Sequence, residues 1–338
     1  MSLILQMLSG VAVIAAILAV ALTGLVCWSV VFPRQPLTTP LPPPNATHSA
    51  LAERLYADVA AIASEPHSLS TPKRLEAAAH HIETKLEKMG YAPERQGYEV
   101  EGQNVRNIEV VIEPRAGNSA TQTLVIGAHY DSAGDAPGAH DNGTGVAATL
   151  ALADRLRTFE PEGYRLRLVF WVNEEQPWSK TLAMGSWQHA RRLREKGEIV
   201  MAAISLETLG YFSDAPGSQR FPWPFGLIYP DTGNFVAFVG LPRSRAVLRE
   251  MLAAFRRQKA FPSIGGVAPG FIDGIDHSDH WAYDREGFPA FMITDTAPFR
   301  NPYYHSRHDK PETVDYLSLA RITLGVEAMI REVAAKAP

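Results

Sequence analysis

The pattern of apolar and polar positions separates one unbroken apolar stretch from a long alternation of strands and helices. From Leu3 to Phe32 no side chain is charged, and about 20 consecutive apolar residues suffice to cross the hydrocarbon core of a bilayer. The stretch lacks the basic start, the short apolar core and the small-residue cleavage site of a secretory signal. It therefore predicts a retained transmembrane anchor over residues 1–33. FPRQPLTTPLPPPN, ending at Asn45, is dense in proline and favours extended polyproline geometry, so residues 34–48 read as a semi-rigid linker. Beyond it the periodicity predicts amphipathic helices over Ser49–Ser64 and Thr71–Met89, then a hairpin of strands near Arg95–Val100 and Val105–Ile112. TLVIGAH, LRLVFWV, MAAISLE and PAFMIT read as buried strands. The segments Gly145–Phe159, Gly185–Lys196, Arg243–Lys259 and Val314–Ala335 read as helices packed on them.

Apolar strands separated by helices imply an α/β fold: a three-layer α/β/α domain over 49–338 with a central, mostly parallel mixed sheet and the first hairpin as an antiparallel edge. Composition narrows the function. With 338 residues, 46% hydrophobic, 20% charged and a formal net charge of -4, the chain has no polyanion-binding signature, so no nucleic-acid partner is expected. The lone cysteine, Cys27, rules out a disulfide framework within the chain. The positive-inside rule gives almost no orientation, because only Arg34 flanks the apolar stretch. The N-terminal position of the anchor leads us to expect an extracytoplasmic catalytic domain. Oligomeric state is left open.

Candidate chemistry gathers where such sheets bind ligands, beyond the carboxyl ends of the strands. TLVIGAH ends in His129 with Asp131 following; LRLVFWVN runs into Glu174 and Glu175; MAAISL runs into Glu207; PAFMIT leads to Asp295 and a loop holding His305. Ionisable groups delivered to one edge by four strands are unfavourable in a low dielectric unless a cation is bound. Imidazoles and carboxylates without a thiol suit zinc better than calcium or magnesium. In His129-Tyr130-Asp131 the outer residues face the same side of an extended segment, so Asp131 is expected to accept a proton from His129 and fix its tautomer.

HYDS, GAHDNGTGVAA, FWVNEE, SLETLGYF, SDHWAYDREGFPAFMITDT and YYHSRHDKPETVDY, in this order from about Leu51 onward, resemble the co-catalytic two-zinc exopeptidases, and among them membrane-anchored bacterial members. That family includes leucyl aminopeptidases, glutamate carboxypeptidase and the single-zinc glutaminyl cyclases. The resemblance implies two zinc ions, with His129 and Glu207 on the first, Glu175 and His305 on the second, and Asp141 bridging both. It also implies Glu174 as general base in an aminopeptidase acting on the N-terminal residues of peptides. Glutaminyl cyclisation on one zinc, and an inactive receptor or scaffold on the same fold, are the alternatives. Metal stoichiometry separates the first, and lost ligands would mark the second.

Several positions depart from the family pattern. Glu207 stands where many relatives have aspartate, which moves the carboxylate by roughly 1.5 Å. His140 replaces an acidic residue and is expected beside the site or facing solvent, not as a ligand. The tyrosine that in relatives helps hold the tetrahedral intermediate is missing near Ile275; His277, Tyr303 and Tyr304 are the substitutes. His308 rivals His305, and the register against DKPETVDY favours His305. His80 and His81 read as surface residues, GGVAPG as a flexible loop beside the cleft, and FPWPFGLIYPD as a wall of a substrate pocket or plain packing. Asn45-Ala-Thr47 matches a glycosylation sequon.

Overall fold

The computed structural model describes residues 2–32, 41–115, 117 and 120–336. Ser2–Ser29 form one helix, α1, followed at once by a short strand, β1 (Val30–Phe32). The proline-rich residues 33–40 lie outside the described part. Leu41 packs on the core and the Pro42 carbonyl accepts from Arg321, so the end of the expected linker lies against the domain. Helix α2 (Ala46–Ile62) then begins on a capping box in which Asn45 and His48 each hold the other's backbone N–H. This gives the sequon asparagine a structural role. Helix α3 (Pro72–Lys88) and the hairpin β2 (Glu94–Val100) and β3 (Gln103–Ile112) follow as expected.

The rest alternates: β4 (Gln122–His129), α4 (Thr144–Leu156), β5 (Tyr164–Trp171), α5 (Gly185–Glu195), β6 (Val200–Glu207), β7 (Val236–Gly240), α6 (Arg245–Arg257), β8 (Ser263–Val267), α7 (His280–Arg285), β9 (Ala290–Thr294) and α8 (Tyr316–Ala334). Among the described residues the strands form one sheet in the order β1-β8-β7-β9-β6-β4-β5-β3-β2. Its centre, β9-β6-β4-β5, is parallel, while β2, β3, β7 and β1 enter antiparallel. Two expectations need correction. GGVAPG is a loop only in its second half, since Gly265–Val267 belong to β8, and β7 was not foreseen, although FVAFVG carries an ordinary strand signal beside its proline-rich neighbour. Helix α6 is also shorter than expected, because Pro242–Ser244 form a separate 3-10 turn before it.

Continuous apolar strands serve two layers because side chains alternate between faces. Leu124, Ile126, Leu168, Phe170, Ile204 and Leu206 face the large core under α2, α4 and α8. Their neighbours Val125, Val169, Trp171 and Ala203 face α5 and α7 with Ala190, Leu193 and Tyr283. The parallel arrangement puts the carboxyl ends of β4, β5, β6 and β9 on one edge, which is what the site needs.

A buried ionic cluster ties β3 to α5. Glu109 accepts from Arg167 and from His189, each at 3.1 Å, and from Arg192. Burial opposes the charge of Glu109, but His189, Arg192 and Arg167 together hold its carboxyl well below the usual carboxylate range. A depressed carboxylate stabilises the fold above its unfolded pKa of about 4.5 and loses that contribution as pH falls through the folded value. We expect Glu109→Gln to destabilise the fold at pH 7 by about 3–5 kcal/mol, because cations are left unpaired, and to flatten the acid limb of the stability profile. Denaturant melts of both proteins from pH 7 down to pH 3 check it; parallel profiles would remove Glu109 from that role.

Candidate metal centre

Each strand end delivers its side chains through a short, unusual turn. β4 ends on His129 and leads to Asp131. Ala139–Gly143 form a π-turn before α4, with Asp141 in an extended conformation at φ -115° and ψ 90° and a cis bond to Asn142. Asn173, Thr208 and His305 adopt left-handed φ values of 62°, 43° and 52°. Such residues cost of order 1–3 kcal/mol each and persist only where surroundings enforce them. The turn at Asn173 follows β5 and lets the adjacent Glu174 and Glu175 reach the same cluster. Gly145 is required by close approach: a Cβ there would lie 2.2 Å from the Leu206 carbonyl and 2.4 Å from Asn142 Oδ1. Asn142 in turn accepts from the Gly145 and Thr208 N–H groups and donates to the Leu206 carbonyl, joining the start of α4 to the end of β6.

These turns bring together the five side chains that the family resemblance implied as ligands. Asp141 Oδ1 lies 3.2 Å from His129 Nε2, which is 3.6 Å from Glu207 Oε2. Asp141 Oδ2 lies 3.0 Å from His305 Nε2, which is 3.4 Å from Glu175 Oε1. Two ligand triads result, His129–Asp141–Glu207 and Asp141–Glu175–His305, each with donor atoms within 4.8 Å of one another. Glu174 forms a third such group with His129 and Glu175. His308 is exposed and belongs to no such group among the described residues.

The electrostatics call for a cation. Burial opposes charge on His129, yet Glu207, Asp131 and Asp141 raise it well above the ordinary imidazole range. Burial also works against ionised Asp141, but His129 and His305 hold it well below the usual carboxylate range. Burial pushes Glu175 up to about 7, with the charge of Asp141 adding to it, and Asp279 up to about 8. Glu174 is raised far above its usual value, again chiefly by burial. The carboxylates thus outnumber the imidazoles that could neutralise them. His129 Nε2 and Glu175 Oε1 are buried without a hydrogen-bond partner, aimed at the cluster, as metal ligands would be. The donor set of two imidazoles and three carboxylates fits zinc.

Three aspartates fasten the loops by one device, in which each accepts from two consecutive backbone amides. Asp131 accepts from Glu174 N–H at 3.1 Å and Glu175 N–H at 3.2 Å. Asp309 accepts from His140 N–H at 2.7 Å and Asp141 N–H at 3.3 Å. Asp295 accepts from Gly210 N–H at 3.0 Å and Tyr211 N–H at 2.8 Å. Asp131 therefore differs from its expected role: the closest oxygen to His129 Nδ1 is the Asp131 carbonyl at 3.0 Å, with the carboxylate at 3.6 Å. Asp295, a strand-end acid, supports the Glu207 turn and is no ligand. Asp309 escaped sequence reasoning; its only signal is its place after His308 in HDKPET. His140 is buried and turned to Thr313 Oγ1 at 3.0 Å, so it does not face solvent. Glu207 accepts from Ser278 Oγ at 2.7 Å, which seats the longer side chain.

Residues 107–330 match the model of peptidase family M28. This chain belongs to that family of zinc exopeptidases. The M28 chain is 35% identical to YfbL of Escherichia coli K12 over 274 residues, 78% of this chain and 82% of that protein. It is 29% identical over 222 residues to an Arthroderma benhamiae protein named "Probable leucine aminopeptidase", covering 61% of this chain and 53% of the relative. The M28 chain thus spans about half the length of that fungal relative. In fold it is similar to a zinc aminopeptidase from Bacillus subtilis, with a TM-score of 0.68 at 14% identity over 84% of this chain and 95% of the other. A glutaminyl cyclase from Bacteroides thetaiotaomicron shares the fold as well, with a TM-score of 0.62 at 18% identity over 85% of this chain and 98% of the other.

Asp309 touches no proposed ligand side chain, yet it holds the loop that carries Asp141. Asp309→Ala is expected to lower zinc affinity about 10–100-fold as measured by competition with a chromogenic chelator. An unchanged affinity would mean that the loop keeps its shape without that carboxylate.

Proposed function

We propose that the chain is a membrane-anchored zinc aminopeptidase with two zinc ions, one held by His129, Asp141 and Glu207 and the other by Asp141, Glu175 and His305. The observation that carries this reading is the division of Asp141, whose two oxygens lie against different histidines at 3.2 and 3.0 Å. A single-metal site would not call for two complete triads around one shared carboxylate. When bound, such a pair of cations acidifies a water molecule and polarises a scissile carbonyl.

The chain's own groups supply the rest of the reaction. Glu174 is the general base: it takes the proton from the attacking water and returns it to the departing amine. Asp131 is a positioning residue, since it holds the amides of Glu174 and Glu175. The spare carboxylates favour a substrate with a free ammonium group. A solvent-connected, largely apolar cavity, lined by Glu207, Tyr304 and side chains such as Phe225, Ile264 and Met292, with Thr208, Thr294 and Asp273 among its polar members, would take the N-terminal side chain. Of the candidates for holding the tetrahedral intermediate, Tyr304 is favoured. Its ring stacks on His305 at 3.9 Å, while Tyr303 packs beside His140 and His277 stands half exposed near Asp273.

α1 supplies the anchor. It is long and apolar enough to span a bilayer, and we place the catalytic domain on the extracytoplasmic side. A protease confined to that side should cleave the domain in intact cells.

The purified full chain is expected to bind two zinc ions and to cleave peptides with a free N-terminus but not the same peptides acetylated. Equal cleavage of both would end the aminopeptidase reading, and one zinc with ring closure of N-terminal glutamine would favour the cyclase. Glu174→Gln should retain both metals while kcat falls by a factor of about 10²–10⁴; His305→Ala should lose one metal. Full turnover by Glu174→Gln would remove Glu174 as the base.

A further inference from the structure

The membrane helix is fastened directly to a wall of the apolar cavity. β1 pairs antiparallel with β8, Val30 opposite Gly266. Gly266 permits this approach, because a Cβ there would lie 2.6 Å from the Tyr229 hydroxyl and 3.3 Å from the Ser29 carbonyl. Arg245 donates to the Trp28 carbonyl at 2.9 Å and sits over the Trp28 ring at 5.6 Å. One of the free carbonyls at the end of α1 is thereby satisfied from the catalytic domain. Val30 packs against the cluster that contains Phe225, Tyr229 and Ile264, and those three side chains also line the cavity.

Helix length then fixes where the cavity wall stands. The 28 residues of α1 extend about 42 Å, more than the roughly 30 Å of hydrocarbon in a bilayer. No spacer separates Ser29 from β1, so a spanning α1 sets β1 and β8 in or beside the lipid headgroups.

Two cavity-lining loops, residues 221–229 and 269–277, carry side chains with no place in the core. Trp223 is 73% exposed, Leu227 78% and Phe271 86%, the most exposed large apolar side chains described outside α1. Each loop also lines the cavity, through Phe221 and Phe225 on one and Ile272 and Ile275 on the other. Exposed aromatic and leucine side chains grouped around an opening are unfavourable in water, whereas tryptophan and phenylalanine are suited to the bilayer interface.

We propose that the loops bearing Trp223, Leu227 and Phe271 rest in the interfacial layer of the bilayer that α1 spans, so that the cavity opens at the lipid surface and not into bulk water. This rests on the reading of α1 as an anchor. The enzyme would then receive peptide N-termini held at the membrane, with an apolar first side chain passing from lipid into the cavity.

The test uses the full chain carrying Cys27→Ser in phosphatidylcholine vesicles. One cysteine at a time is introduced, as Leu227→Cys, Phe271→Cys, Val20→Cys or Glu94→Cys, and labelled with an environment-sensitive fluorophore. Glu94 lies on β2, at the opposite edge of the sheet from β1 and β8. Lipids bearing a nitroxide near the headgroup should quench the labels at 227 and 271 several-fold more than the label at 94. Quenching there no greater than at 94, with the label at 20 quenched by nitroxides deeper in the chains, overturns the proposal and leaves the anchor intact. A blue-shifted emission at 227 and 271 without lipid quenching also overturns it, because a second copy of the chain would then cover the loops. If the label at 20 is not quenched, the anchor reading fails; quenching at 227 and 271 would still support a lipid contact, and its absence would end both.

Discussion

Buried negative charge is the constraint around which this molecule is arranged. Asp141, Glu174, Glu175, Glu207 and Asp279 share one pocket with only His129 and His305 to oppose them. In a low dielectric such a group is unstable unless cations enter or protons are taken up. Burial shifts Glu174, Glu175 and Asp279 upward, so without cations the pocket would draw protons. Divalent cations answer the same demand while leaving the carboxylates ionised for ligation and proton transfer.

A pocket so repulsive must be held shut by other means, and the means are backbone amides. Asp131, Asp309 and Asp295 each accept from a pair of consecutive N–H groups, fastening in turn the Glu174–Glu175 segment, the Asp141 loop and the turn after Glu207. Carboxylates that accept from amides gain charge-assisted hydrogen bonds and fix turns that contain left-handed residues at Asn173 and Thr208. The acidic motifs of this chain thus contain two kinds of aspartate and glutamate, those that gather in the buried cluster and those that hold the first kind in place.

The apolar side of the molecule follows a parallel logic. The cavity beside Glu207 is walled by the strands at the edge of the sheet, where the long apolar helix α1 joins through β1. Helix α1, cavity wall and exposed loops are thus one continuous structure, in which the glycine at 266 allows β1 to come close enough to pair. A long proline segment directly after an apolar helix suggests a domain held at a distance. The pairing of β1 with β8 shows the chain joining the sheet before that segment begins.

Much of this was legible in the sequence, because local physics writes it there. Apolar runs of strand length between amphipathic segments fix the α/β class, and strands that end in His129, Glu174–Glu175 and Glu207 fix the edge at which a ligand must sit. The resemblance in motif order supplied a candidate ligand set, and the structure brings those five side chains within reach of one another. Other features depend on partners far apart in the chain and leave little local trace. β8 is Gly-rich and reads as a loop until β1 and β7 pair with it. Asp309 gives no sign of its task until it meets the amides of His140 and Asp141, some 168 or 169 positions away. Whether Asp131 serves His129 or the amides of Glu174 and Glu175 is decided by the turn at Asn173, where a left-handed residue redirects the backbone. Periodicity and composition report which face of an element is buried; only the folded chain decides which hydrogen-bond donors a buried carboxylate meets, since that depends on distances the one-dimensional pattern does not contain.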